Sequence, residues 1–179
     1  IGLSGGVDSS YLAYFAVKKL GLRPLLFACD TGWNLNVAVQ NVEKITKGLD
    51  MPLHTEIVNW NEMRDLQLAF FKAQVPYQDI PQDHIIFAAL YNYAAKNGIK
   101  YVLTGGNNST ECVREPIEWV YQNDIRMLKD IHKKYGTVPL KTLPLCGMFK
   151  AHLYYRYIKG MKVVKPLDLI PYTKADAIS

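Results

Sequence analysis

The sequence predicts a single α/β domain built around a parallel sheet. Short apolar runs with the length and composition of buried strands alternate along the chain with longer segments of helical periodicity. Glycine-rich turns follow two of these runs, at the position where parallel sheets bind their ligands. We therefore expect right-handed crossovers between the strands and a ligand site outside the carboxyl ends of the strands.

The first half of the chain gives the clearest alternation. Apolar residues recur every three or four positions in each predicted helix, and Gly21 ends the first of them. The runs between the helices are continuously apolar or alternate with polar residues, as strands do. In order, the predicted elements are a helix over 8–20, a strand over 23–29, a helix over 36–49, a strand over 53–58 and a helix over 61–74.

The second half continues the pattern. Asp83 is expected to cap a helix that closes at Asn97 and Gly98. His84 is then expected to pack in the first turn of that helix, although a role in proton transfer remains an alternative for both residues. In order, the elements are a helix over 83–97, a strand over 101–104, a helix over 116–135 and a strand over 162–165.

Composition restricts the classes of protein that fit. Hydrophobic residues make up 49% and charged residues 21%, which excludes a disordered or collagen-like chain, and no apolar stretch is long enough for a membrane span. Cys29, Cys112 and Cys146 form no C-x-x-C pair, so a zinc ribbon is unsupported and a reducing, cytoplasmic location is expected. The net charge of +5 comes from dispersed lysines, which suits a nucleotide and makes nucleic acid an improbable ligand.

The loop after the first apolar run carries the strongest functional signal. Gly5 and Gly6 let the backbone turn sharply, and the N–H groups at the start of the next helix favour an anion. Asp8 repels phosphate by itself, so its presence is explained by a divalent cation held against the phosphates. The pattern is neither a Walker A loop nor a dinucleotide fingerprint. The candidate binding residues are Ser4, Gly5, Gly6, Val7, Asp8, Ser9 and Ser10.

This loop resembles the pyrophosphate loop (PP-loop) of the N-type ATP pyrophosphatases. The resemblance implies a three-layer, adenine-nucleotide alpha hydrolase-like (Rossmann-like) fold. It also implies that ATP and Mg²⁺ are bound and that ATP is cleaved between its α and β phosphates. Asp8 would then contact the metal and take part in catalysis. The whole of 1–179 would be one such domain, excised from a longer protein and lacking the start of its first strand and a C-terminal part.

Three further stretches resemble the same superfamily. Asp30 ends the second apolar run, where such domains contact adenosine. Thr104 and Gly105 begin a stretch similar to one in NAD synthetase, and the match implies that both face ATP and that Glu111 is a second metal ligand. Lys174 ends the stretch 165–174, which includes Pro166-Leu167-Asp168 and resembles the Pro-x-x-Asp-Leu-x-Lys segment of the family. The match makes Lys174 a catalytic residue that binds phosphate as charge accumulates in the transition state.

Over most of the chain, the closest resemblance is to N-acetyl sugar amidotransferases of lipopolysaccharide and other surface-polysaccharide biosynthesis. It rests on less specific stretches, namely Asp30-Thr31-Gly32-Trp33-Asn34, Asp79-Ile80-Pro81-Gln82-Asp83-His84, residues 104–111, residues 124–126 and residues 131–136. This family is understood to convert an acetamido group into an acetamidino group. The ammonia comes from partner subunits that resemble a glutaminase and a cyclase. The chain itself has no glutaminase signature.

Two alternatives remain open at the level of sequence. A PP-loop enzyme that modifies tRNA, by thiolation or lysidine formation, would share the first loop, and Cys112 beside the proposed metal site keeps a persulfide role possible. A non-catalytic nucleotide-binding module would share the fold. The presence of two candidate metal ligands, Asp8 and Glu111, favours a catalytic function over nucleotide binding alone. Trp33 is a candidate for stacking on a sugar or on adenine, although most aromatic residues belong to a core.

Overall fold

The computed structural model describes residues 1–108, 124–173, 175 and 177, and these residues form a mixed α/β structure. Its strands are β1 (Leu26–Asp30), β2 (Leu53–Ile57), β3 (Tyr101–Leu103) and β4 (Lys162–Val164). Its α-helices are α1 (Val7–Tyr14), α2 (Asn36–Leu49), α3 (Trp60–Ala73), α4 (Ile80–Lys96) and α5 (Ile125–Tyr135). Phe15–Lys19 continues α1 as a π-helical turn, Lys150–Ile158 is a π-helix, and Pro166–Leu169 is a short 3₁₀-helix.

The strands form two parallel pairs that are joined through residues 1–3. Strand β1 pairs with β2 in the register Leu26↔Leu53, and β3 pairs with β4. On one side of residues 1–3, the N–H of Phe27 donates to the carbonyl of Ile1, and the carbonyl of Phe27 accepts from the N–H of Leu3, both at 2.8 Å. On the other side, the N–H of Gly2 donates to the carbonyl of Leu103 at 3.2 Å. The spatial order is therefore β2, β1, residues 1–3, β3, β4. Strands β1 and β2 lie on one side of residues 1–3, and β3 and β4 lie on the other, so the strand order reverses at residues 1–3.

Strand β1 has helices on both of its faces. Successive strand residues point to opposite faces, so Leu26 and Phe27 enter different hydrophobic clusters. Leu26 packs with Leu12 of α1, whereas Phe27 packs with Ala88 of α4 and Tyr155 of the π-helix. This packing holds α1 and α4 against the sheet and leaves the carboxyl ends of its strands between them.

A third cluster joins helices α3, α4 and α5. Met63, Phe70, Ile85 and Leu128 are fully buried in it. Glu62 and Asp65 lie one turn apart on α3 and hold the segment that follows α5. Asp65 accepts hydrogen bonds from the backbone N–H groups of residues 137 and 138, and Glu62 accepts from those of residues 141–143.

The helices over 8–20, 36–49 and 61–74 and the four strands are confirmed to within a few residues. Strand β1 begins at Leu26 rather than at residue 23, because Pro24 has no N–H to donate. The N-cap prediction for Asp83 was wrong. Helix α4 begins at Ile80 with Pro81 in its first turn, and the carboxylate of Asp83 instead accepts from the Tyr77 hydroxyl at 3.0 Å.

The remaining differences lie in the second half. Of the helix expected over 116–135, residues 116–123 lie outside the described part. Its continuation α5 is capped by Asp124, which accepts from the N–H of Arg126 at 2.8 Å. No element was predicted from the sequence over the segment in which the structure has the π-helix. Within the part of the chain that the structure describes, no helix has the length and apolar character needed to cross a bilayer.

We expect Asp65→Ala to lower the free energy of unfolding by about 1–3 kcal/mol at pH 7, because it removes the acceptor of partly buried hydrogen bonds from the N–H groups of Thr137 and Val138. Urea denaturation measures this. Asp130→Ala is the matched control, since Asp130 pairs with Lys134 on the exposed surface of α5, and its effect should stay below about 0.5 kcal/mol.

The same carboxylate predicts a pH dependence. Burial alone would raise the pKa of Asp65, but hydrogen bonds from Thr137, Val138 and His132 outweigh it and lower the pKa to about 2. The stabilisation is therefore complete above the ordinary value near 3.8 and is lost as the pH falls toward 2. The difference between wild type and Asp65→Ala should shrink over that interval. A constant difference would contradict the account.

Candidate functional site

The loop between residues 1–3 and helix α1 is closed by a serine network. The hydroxyl oxygens of Ser4 and Ser9 lie 3.0 Å apart in a shared hydrogen bond. Ser9 Oγ also accepts from the N–H of Ser4 and donates to the carbonyl of Gly6, both at 3.2 Å. These bonds fold the loop back on the first turn of α1 and fix where that turn begins.

Helix α1 begins without a side-chain cap. Gly6 occupies the N-cap position in an extended conformation and has no side chain to offer. The first-turn N–H groups and the positive end of the helix dipole thus face the space beyond the loop. Such an end favours an anion.

Gly5 is required by the approach of helix α2. Its φ is +79°, and a Cβ at this position would lie 2.2 Å from the carbonyl oxygen of Ala38. Nδ2 of Asn41, also on α2, donates to the carbonyl oxygen of Gly5 at 3.1 Å. Helix α2 therefore clamps the outer side of the loop.

The second glycine turn, after β3, packs on the first. A Cβ on Gly105 would lie 2.9 Å from the backbone nitrogen of Ser9 and 3.0 Å from its Cα. Asn107 is buried beneath the turn, and its Nδ2 donates to the carbonyl of Gly105 at 3.1 Å. The two turns predicted to bind the same nucleotide are thus in backbone contact.

The segment after β4 connects both turns to Asp8. The hydroxyl of Tyr172 donates to Oδ1 of Asp8, and the Tyr172 ring packs 5.0 Å from that of Tyr11. Asp168 reaches the second turn by accepting from the N–H of Asn108 at 2.6 Å. Sequence reasoning did not identify Tyr172, because no motif links it to a residue more than 160 positions earlier.

A cavity of about 840 Å³ opens at these strand ends. Most of the predicted site residues line it, namely Ser4, Gly6, Val7, Asp8, Ser9, Asp30, Thr104 and Gly105. Gly5 and Ser10 do not: Gly5 packs against α2, and the Ser10 hydroxyl donates to the carbonyl of Gly6 at 2.6 Å. Glu111, Cys112 and Lys174 lie outside the described residues.

The cavity reaches both faces of the sheet. Ala28 and Asp30 belong to the face under α2, and the adjacent wall comes from Val39 of that helix. Cys29 belongs to the opposite face, where Phe87 of α4 forms the wall. We call these the α2 lobe and the α4 lobe. Their apolar walls were missed because Val39 and Phe87 lie in helices whose apolar positions suggested core packing.

Trp33 stands at the edge of the α2 lobe. It lines the cavity and meets Trp60 edge to face, with ring centroids 4.8 Å apart. Between them Gly32 has a φ of +84° and passes against the Trp60 ring. Asp30 anchors this turn, since its Oδ1 accepts from the N–H of Gly32 at 2.8 Å.

The thiol in the cavity is a weak nucleophile. Burial, with Glu56 and Asp30 nearby, raises the pKa of Cys29 to about 12. The thiolate is the reactive form, and at neutral pH Cys29 carries almost none of it. Cys146, which is buried away from the cavity, also has a raised pKa because of its burial.

The donor set at Asp8 suits Mg²⁺. Among the described residues no cluster of three or more His, Cys, Asp or Glu side chains is placed to hold a metal. Magnesium does not need one, because it binds one or two carboxylates and takes its other oxygens from phosphates and water. Asp8 supplies a carboxylate at the second position of α1, beside the end that favours an anion.

No protein-family model matches this chain, and the comparison with curated proteins found no significant relative.

We expect Gly105→Ala to destabilise the protein by about 1–3 kcal/mol, because its methyl group would press on the Ser9 backbone. The amide resonance of Ser9 should shift as well. Gly48→Ala is the matched control: Gly48 lies within α2 with open space around it, and alanine there should stabilise the helix by about 0.5–1 kcal/mol. Equal effects of both substitutions would contradict the contact.

Proposed function

We propose that this chain is an ATP pyrophosphatase domain of the PP-loop type with a three-layer, Rossmann-like sheet. The observation that carries the proposal is the contact between two glycine turns at the point where the strand order reverses. In open α/β sheets, ligands bind outside the carboxyl ends of the strands at this switch point. Helices on both faces of β1 and the cavity above it support the same fold.

ATP binds with its phosphates at the start of α1 and its nucleoside in the α2 lobe. The uncapped N–H groups of α1 supply donors for the phosphates. The nucleoside reaches toward Asp30 and Trp33, which line the cavity at the end of β1. Val39 supplies an apolar wall for the adenine.

Mg²⁺, when bound, neutralises phosphate charge and withdraws electrons from the bond that breaks. Asp8 would hold the ion, and the Tyr172 hydroxyl, which donates to Oδ1 of Asp8, would orient the carboxylate. Glu111 as a second ligand and Lys174 as a phosphate-binding cation are proposals from the sequence resemblance.

The reaction has two steps: an adenylyl group is transferred to an amide oxygen, and ammonia then displaces AMP. The acetamido oxygen of an N-acetyl sugar attacks the α-phosphorus, a new O–P bond forms, and the α–β bridge breaks to release pyrophosphate. Ammonia adds to the activated carbon, and the C–O bond breaks to release AMP and leave an acetamidino group, while a proton passes to solvent. The chain positions the reactants and stabilises phosphate charge. The ammonia comes from glutaminase- and cyclase-like partner subunits.

Two observations favour this reaction over the alternatives. A cavity with a second apolar lobe beside the nucleotide provides room for an acceptor, which a module that only binds nucleotide does not need. Thiolation of tRNA uses a reactive cysteine, and Cys29 does not provide one in the cavity because its raised pKa keeps it protonated. Cys112, the other thiol that the sequence offers for this role, lies outside the described residues.

Asp8→Asn should reduce the formation of AMP and pyrophosphate from Mg-ATP by at least about 100-fold, because it removes the anionic metal ligand. The assay contains ammonium and a panel of nucleotide-linked N-acetyl sugars, with mass spectrometry of the sugar for replacement of oxygen by NH. Asp50→Asn is the control, since Asp50 ends α2 in a left-handed conformation that asparagine also adopts. Asp8→Asn activity within about tenfold of wild type would overturn the metal role.

The two lobes predict opposite kinetic effects. Val39→Ala should raise the KM for ATP about three- to tenfold and leave the KM for the sugar unchanged. Phe87→Ala should do the reverse. Both side chains are exposed at the cavity, so neither substitution removes core packing. If both variants changed the same KM, the assignment of separate lobes would be wrong.

A further inference from the structure

One long segment of the chain carries basic residues without any acidic ones. From residue 131 to residue 167 the chain contains no aspartate or glutamate, although it holds eight of the 21 lysines and arginines. Those eight are Lys133, Lys134, Lys141, Lys150, Arg156, Lys159, Lys162 and Lys165. The segment includes the π-helix and strand β4. It is remote in sequence from the two glycine turns.

The π-helix exposes an apolar stripe beside these charges. Its inner side is anchored by Tyr155, which is buried against α4. On its outer side and just before it, Phe149, Leu153, Tyr157 and Ile158 are between 44% and 72% exposed. The first three are four residues apart, a spacing that keeps them on one side of a helix with slightly more than four residues per turn.

Strand β4 extends the stripe. Val163 is paired in register with Val102, so both side chains point to the same face of the sheet. Val102 is buried in the cluster that contains Tyr155, whereas Val163 is 47% exposed. Val163 is therefore an exposed apolar residue on the face of the sheet against which the π-helix packs. Met148, before the helix, adds to it at 53% exposure.

The cations lie among these apolar groups. The Arg156 guanidinium lies 5.7 Å from the centre of the Tyr157 ring, and Nζ of Lys159 lies 5.7 Å from that of Tyr154. We call this surface the basic apolar face; it comprises Met148, Phe149, Leu153, Arg156, Tyr157, Ile158, Lys159 and Val163. Exposed apolar patches bordered by polar groups mark interaction sites on soluble domains.

We infer that the basic apolar face binds the surface of an anionic membrane. Apolar side chains beside lysine and arginine, on an element that lies in the plane of the interface, are the features that bind a peripheral protein to anionic lipid. Single-stranded nucleic acid is a poorer fit, because it is bound by aromatic rings that stack on bases. Four of the six apolar residues here are aliphatic: Met148, Leu153, Ile158 and Val163. The inference does not depend on the proposed enzymatic function.

Co-sedimentation with lipid vesicles tests the inference. One preparation is phosphatidylcholine alone, and the other contains equal parts of phosphatidylcholine and phosphatidylglycerol. We expect binding to the mixed vesicles, little to the neutral ones, and weaker binding as salt is raised. Failure to bind the mixed vesicles, or equal binding to both, would overturn the inference.

Matched variants locate the binding surface. Phe149→Ser, Tyr157→Ser and Ile158→Ser together should weaken binding at least tenfold, on the order expected for losing the inserted side chains. The control combines Ile57→Ser, Leu68→Ser and Phe71→Ser, which are also exposed and lie on β2 and α3. Arg156→Gln and Lys159→Gln should each lower the affinity for the mixed vesicles about fivefold. If the control weakens binding equally, this face is not the site.

Two rival occupants are tested with the same variants. Analytical ultracentrifugation reports a second copy of the chain, and fluorescence titration with oligouridylate reports single-stranded RNA. The inference is supported if the protein is a monomer, binds the mixed vesicles and does not bind oligouridylate. A dimer that the Phe149, Tyr157 and Ile158 substitutions dissociate, or RNA binding that they abolish, would overturn it if vesicle binding were absent.

Discussion

The backbone contact between Gly105 and Ser9 is the constraint on which the site depends. It joins the start of α1 to the end of β3, two elements far apart in sequence and adjacent in space. A side chain at position 105 would push them apart, because its first carbon would meet backbone atoms of Asp8 and Ser9 rather than the end of a flexible side chain. With glycine there, residues 1–3 lie between β1 and β3, the strand order reverses at that point, and the cavity opens above it.

Hydrogen bonds from elsewhere in the chain hold this arrangement in place. Asn41 secures the outer side of the first turn from α2, and Asp168 secures the second turn from the segment after β4. Tyr172, in the same segment, contacts Asp8 directly. The proposed metal ligand is therefore positioned by a residue near the end of the described chain. This coupling makes the segment after β4 part of the proposed site.

Local sequence patterns predicted most of the helices and strands and the residues of the first glycine turn, but long-range contacts could not be predicted from sequence. The helices and strands followed from periodicity, and Ser4 to Ser9 followed from glycines and a carboxylate beside a predicted helix. The bond from Tyr172 to Asp8 had no local signal. Asp65 resembled an ordinary surface residue of a helix, yet it holds the chain after α5. Asp83 shows an error of the opposite kind, because a local signal was present but misleading. Aspartate is a good capping residue, yet the helix begins earlier, at Ile80 and Pro81.

The most direct test of the central claim is a titration of ¹⁵N-labelled protein with Mg-ATP, followed through backbone amide resonances. The account predicts saturable shifts that begin at Ser4, Gly6 and Ser9 and extend to Thr104 and Gly105, with little change at the exposed residues of α5. Those residues line one cavity although Thr104 and Gly105 lie far along the chain from the other three. Saturable shifts confined to another part of the chain, or no shifts at millimolar nucleotide, would contradict the claim that this cavity is the nucleotide site.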